Sequence, residues 1–189
     1  MSGLVDGILG QLGPAGMAQI AKSLGADEGA VGSAVGAALP AIIAGMANNA
    51  RQPSGAESLA NALNDHSPSI FDSLGGLLGG GGAADGAKIL GHVLGGRQPS
   101  VAENLAGQSG LDVGMIMKLL PILAPLVMGY LSKQKQEQGL DAGGLGAVLG
   151  QERKQVEAQK PGLGGLASIL DADGDGSIVD DILGKLTGN

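Results

Sequence analysis

Asp171-Ala172-Asp173-Gly174-Asp175-Gly176-Ser177-Ile178 places three carboxylates at alternate positions. Side chains so spaced can converge on one hard cation and give it the oxygen-rich shell that calcium prefers. Gly176 permits the sharp turn at the sixth position, Ser177 lends its backbone carbonyl at the seventh, and Ile178 turns inward to anchor the loop. These are the first eight positions of an EF-hand-type loop. The twelfth, where a bidentate Glu ordinarily closes the shell, is Ile182; acids stand instead at Asp180 and Asp181. Asp181 is the expected closing ligand, in a loop shortened by one residue. The predicted metal set is Asp171, Asp173, Asp175, Ser177 and Asp181, with calcium as the cofactor. A monodentate closure predicts weak binding, on the order of 10⁻⁴–10⁻³ M. The plainer alternative is an Asp/Gly turn that holds no metal.

The rest of the chain offers little other chemistry. It has no cysteine, which excludes disulfides and thiolate metal sites. His66 sits in the loop-like run Asn64-Asp65-His66-Ser67-Pro68, and His92 lies beside Val93 without a paired carboxylate. The glycines at 79–82 are not followed by Gly-Lys-Ser/Thr, so they are a connector and not a phosphate loop. No catalytic constellation is legible, and a non-enzymatic protein without a small-molecule substrate is expected.

The elements that must hold the tail are helical. Among 189 residues there are 37 glycines and two aromatics, Phe71 and Tyr130, so a core has to be built from Ala, Leu, Ile, Val and Met. Net charge is −7, and residues 1–170 carry 13 acids against 10 bases. That balance provides no basic face for nucleic acid. The N-terminus lacks a basic segment followed by an unbroken apolar run, so no standard signal peptide is expected and a cytoplasmic location is predicted. Residues 29–47 have no charge, but small residues dominate them and Pro40 interrupts them. Residues 119–131 are too short for a span and follow Lys118. Buried core helices are predicted there in preference to membrane spans.

A corner is written twice. Leu24-Gly25-Ala26-Asp27 ends one helix at Gly25 and caps the next with Asp27; Gly110-Leu111-Asp112 repeats the pattern 85 positions later. Arg51-Gln52-Pro53-Ser54-Gly55-Ala56-Glu57 and Arg97-Gln98-Pro99-Ser100-Val101-Ala102-Glu103 form a second, closer repeat. Its Ser-x-x-Glu predicts a capping box at each helix start, in preference to a binding motif. Residues 113–133 should form the most buried helix, bent or split by Pro121 and Pro125, and residues 151–160 a solvated helix or linker.

Three segments carry a family resemblance: the corner at Leu24-Gly25-Ala26-Asp27, then Ala87-Lys88-Ile89-Leu90-Gly91-His92-Val93-Leu94-Gly95-Gly96, then Lys118-Leu119-Leu120-Pro121-Ile122-Leu123-Ala124-Pro125-Leu126-Val127-Met128-Gly129. Together they resemble the YidB-like bacterial proteins of unknown function. That resemblance implies an all-helical fold with helix-turn-helix-like corners and supplies no activity. The 171–178 run is similar to one half of a dockerin, without its second half.

The expected architecture is an all-α, duplicated helical-hairpin bundle with a C-terminal EF-hand-like calcium loop. Its units are residues 1–74 and 87–150 as two helical repeats, 75–86 as a glycine-rich connector, 151–161 as a charged linker and 162–189 as the calcium tail. The expected function is that of a self-associating structural or interaction protein, forming a homo-oligomer or polymer. Two alternatives stand beside it: a helix-turn-helix DNA-binding or regulatory protein, and a membrane-associated helical protein. The first is disfavoured because residues 29–41 hold no Arg, Lys, Asn or Gln to touch DNA.

Overall fold

A computed structural model describes residues 3–66 and 68–159, among which every regular element is helical. In chain order these are α1 (Leu4–Leu24), α2 (Glu28–Asn49), α3 (Pro53–Ala62), the single turn α4 (Leu74–Gly76), α5 (Ala83–Val93), α6 (Gln98–Ser109), α7 (Val113–Gln138) and α8 (Ala142–Gln159). Short 3₁₀ turns lie at Leu63–Asp65, Pro68–Phe71 and Gly95–Arg97. The calcium-loop residues predicted above fall outside the described residues.

The core forms around α2 because its sequence leaves no face for water. Val31, Val35, Leu39, Ile42 and Ile43 are fully enclosed, and the alanines between them are nearly so. α1, α3, α5, α6, α7 and α8 all pack against this one helix. Small residues make that crowding feasible, since they let neighbouring backbones come close. At Gly45, for example, a Cβ would lie 2.9 Å from the Val93 carbonyl oxygen of α5.

The second spine is α7, which packs on α1, α2, α5 and α6. Three prolines predicted to bend or split the long helices do not interrupt them: α2 runs through Pro40, and α7 runs through Pro121 and Pro125. Each proline withdraws one backbone donor from the helix ladder. Burial of the flanking residues holds the helix together across that gap. Pro125 cannot donate to the carbonyl of Pro121, four residues back, and Gly86 of α5 sits directly against that oxygen. A Cβ at 86 would run into it, so the α5–α7 crossing requires glycine there. By contrast α1 does break, at Gly13 (φ 58°), ahead of Pro14.

Helix ends follow the corner chemistry. Gly25 takes φ 66°, and Asp27 Oδ1 then accepts from Gly29 N at 2.9 Å and Ala30 N at 3.0 Å. Gly110 takes φ 77°, and Asp112 accepts from Met115 N at 2.8 Å. A third corner, absent from the expectations, joins α7 to α8: Gly139 takes φ 63°, and Asp141 accepts from Gly144 N at 2.7 Å. The expected capping boxes do not form. α3 begins with Pro53 at its first turn and α6 with Pro99 in its first turn, and no side chain caps either one. Proline there presets the helical φ and lacks the N–H a cap would satisfy, so the helix starts before Ser54 and Ser100 can act.

The stretch expected to be a solvated helix or linker is a helix, mostly exposed but for one buried acid. Residues 151–159 complete α8, which packs on α2 and α3. Glu152 is 7% exposed, and its Oε1 accepts from Val5 N at 3.2 Å. A carboxylate brought from 147 residues away thus caps the N-terminus of α1, where the helix dipole favours negative charge. Nearby, the Tyr130 hydroxyl fills the space that a side chain at Gly7 would need. Burial, then Glu137 and Glu152, push the Tyr130 pKa above its usual value, so the phenol stays protonated.

Two outcomes follow from this packing. Gly86→Ala should lower stability by about 1–3 kcal/mol, because neither backbone can yield, whereas Gly91→Ala on the same helix, with open space around it, should add about 0.5–1 kcal/mol. Urea unfolding midpoints of the two variants check the contrast. Glu152→Ala should cost about 1–2 kcal/mol and speed amide exchange at residues 5–7 while leaving α2 amides protected.

Candidate functional site

One concavity of the body is a cleft of about 830 Å³. The C-terminal end of α2, the first turns of α3 and the C-terminal end of α5 form its walls, and Met128 of α7 reaches it from the second spine. Its shape follows from two close approaches. Gly55 lets the start of α3 tuck against the Asn49 carbonyl, and Asn49 Nδ2 donates to the His92 carbonyl at 2.7 Å. Met46, Leu59, Val93 and Met128 give the cleft an apolar floor.

Its polar lining is unusual for so acidic a chain. Arg51, Arg97, His66 and His92 all line the cleft, together with Asn48 and Asn49, and among the described residues no Asp or Glu joins them. His66 Nδ1 lies 2.8 Å from the Ala62 carbonyl, which fixes the ring against the end of α3. A third arginine adjoins: Arg153 of α8 donates from Nη1 to Asn48 Oδ1 at 2.9 Å. Chemically, such a surface can hold oxyanions, because guanidinium groups and amides donate several hydrogen bonds to carboxylate or phosphate oxygens.

The duplicated Arg-Gln-Pro segments explain how the two arginines meet. Arg51 precedes the N-cap of α3, and Arg97 is the N-cap residue of α6. A cation at a helix N-terminus is on the unfavourable end of the dipole. Helix stability therefore accounts for the prolines of the repeat and not for its arginines. Sequence reasoning took the whole repeat as a helix start and passed over the arginines. Their identical place in both copies was the available signal.

Of the residues expected to act, the calcium set Asp171, Asp173, Asp175, Ser177 and Asp181 lies outside the described residues. Among the described residues, no three His, Cys, Asp or Glu side chains cluster so as to hold a metal ion. The two histidines, distant in sequence and passed over as unsupported, share the cleft. α2 and α7 are long and apolar enough to cross a membrane, and both lie mostly enclosed by the other helices.

No curated protein and no solved structure matches the chain. Residues 6–134 match the family described as "Bacterial protein of unknown function (DUF937)", a stretch that takes in α2, most of α7 and the described residues lining the cleft. The chain belongs to that family of bacterial proteins.

Proposed function

We propose that this is a non-enzymatic, self-associating structural or interaction protein whose C-terminal loop binds calcium. One observation carries the calcium reading: acids at 171, 173 and 175, followed by Gly176, Ser177 and Ile178, in the order that an EF-hand-type loop requires. Asp181 closes the shell in place of a twelfth-position Glu. Calcium then offsets the repulsion among five acids within eleven residues. Apolar residues on both sides, Leu166, Ile169 and Leu170 before the loop and Ile182, Leu183 and Leu186 after it, give the loop something to pack with. Such loops generally work in pairs, so a single one suits docking on a neighbouring surface.

The self-association reading draws on the duplicated, apolar helices and their small residues, which suit close interfaces. The DNA-reading alternative is weakened by the place of α2. That helix follows the first corner and would have to enter a groove, yet Val31, Ala34, Val35 and Ala38 are fully buried against other helices. A membrane-associated protein would need α2 and α7 to exchange those helix contacts for lipid.

Calorimetric titration should give saturable calcium binding with a dissociation constant on the order of 10⁻⁴–10⁻³ M, abolished in Asp171→Ala/Asp175→Ala. No heat, together with no rise in melting temperature at millimolar calcium, would overturn the metal reading. Light scattering should show a discrete oligomer or a polymer; a monomer at high micromolar concentration would overturn the assembly reading.

A further inference from the structure

The attachment of α8 to the fold divides its contacts from its covalent link. It packs on α2 and α3, whereas with α7, its predecessor in the chain, it makes marginal contact at most. Leu145 and Leu149 are fully buried, Glu152 accepts from Val5 N of α1 at 3.2 Å, and Arg153 donates to Asn48 Oδ1 of α2 at 2.9 Å. The seat of α8 is therefore built by α1, α2 and α3, all before residue 63. What α7 supplies is the tether.

That tether is short and rests on one backbone conformation. Gly139 holds φ 63°, Leu140 N bonds back to the Lys135 carbonyl at 3.0 Å, and Asp141 accepts from Gly144 N at 2.7 Å. If residues 139–141 become helical instead, α7 and α8 run as one rod from Val113 to Gln159, about 70 Å long. The rod carries α8 away from its own seat, and the packing of α7 on α1, α2, α5 and α6 need not change. Left without a seat, α8 is a poor helix, since residues 142–150 include four glycines. An α8 so released regains its buried leucines and its two long-range hydrogen bonds on the identical seat of a second molecule.

We infer that the surface of α2 and α3 that seats α8 is the self-association interface, its occupant being α8 of a second copy, exchanged about the corner at 139–141. The inference rests on the self-association reading above and gives it an interface. Exchange is reciprocal, so each copy fills the other's seat and the pair closes as a two-fold dimer. Short hinges favour such exchange because the tight corner is demanded only when α8 returns to its own body. A side chain at 139 would strain the left-handed corner but suits the continuous helix, so it shifts the balance towards the exchanged pair.

The chain's lack of cysteine makes a clean test available. Asn48→Cys/Arg153→Cys, at two positions whose side chains meet, is joined in the full-length protein by a short bis-maleimide, and the products are read by mass under denaturing conditions. Light scattering first gives the size of the species at high micromolar concentration. In an oligomer made by exchange, the cross-link joins two chains; a link confined to one chain overturns the exchange and leaves self-association through another surface standing. A monomer overturns self-association and exchange together. Gly139→Ala should raise the share of links between chains at least three-fold, and an unchanged share overturns the exchange. Gly110→Ala puts the same strain at the α6–α7 corner, where φ is 77°; an equal rise there overturns 139–141 as the hinge. Circular dichroism reports whether Gly139→Ala folds. If it does not, a Gly-Ser-Gly-Ser insertion between Leu140 and Asp141 decides: the relaxed corner should lower the share between chains at least three-fold, and an unchanged share overturns the exchange.

Discussion

Everything in this fold depends on enclosing α2. A helix with no charge between Gly29 and its end cannot lie on a surface, because it has no face that prefers water. Burying one Ile or Leu side chain stabilises by roughly 1.5–3 kcal/mol, and α2 offers several, provided neighbours cover them. Six helices pack against α2 and leave exposed only its two ends and Ser33. With almost no aromatic residues to fill space between them, the neighbours must come near. Glycine and alanine at the crossing points meet that demand: Gly45 against α5 within the α2 interface, and Gly86 where α5 crosses α7. The high glycine content, which would weaken isolated helices, is thus put to use at these contacts.

Enclosure in turn requires sharp reversals between long helices. The same device recurs at 25–27, 110–112 and 139–141: glycine in the left-handed region ends one helix, and an aspartate two residues on caps the next. Each Asp accepts backbone donors that would otherwise be left open at a helix start. The carboxylate of Glu152 performs that task for α1 from across the fold, and so locks the last described helix to the first. The chain is closed on itself by a cap and not by a disulfide, which a cysteine-free sequence could not form.

How legible this was depended on whether a signal was local. The corners at 25–27 and 110–112 could be read because glycine and aspartate act on their immediate neighbours, and the repeat drew attention to them. The corner at 139–141 uses the same residues but lies outside the repeat register, and it escaped notice. Ser54 and Ser100 were misjudged because proline, one residue earlier, had already started each helix. Glu152 was misjudged for a different reason. A run of mixed charges looks solvated, and only tertiary packing discloses that one member points inward. The arginine cleft belongs to this second kind, since Arg51, His66, His92 and Arg97 are brought together by the packing of α2, α3 and α5. Local sequence holds no trace of that meeting beyond the repeated arginine.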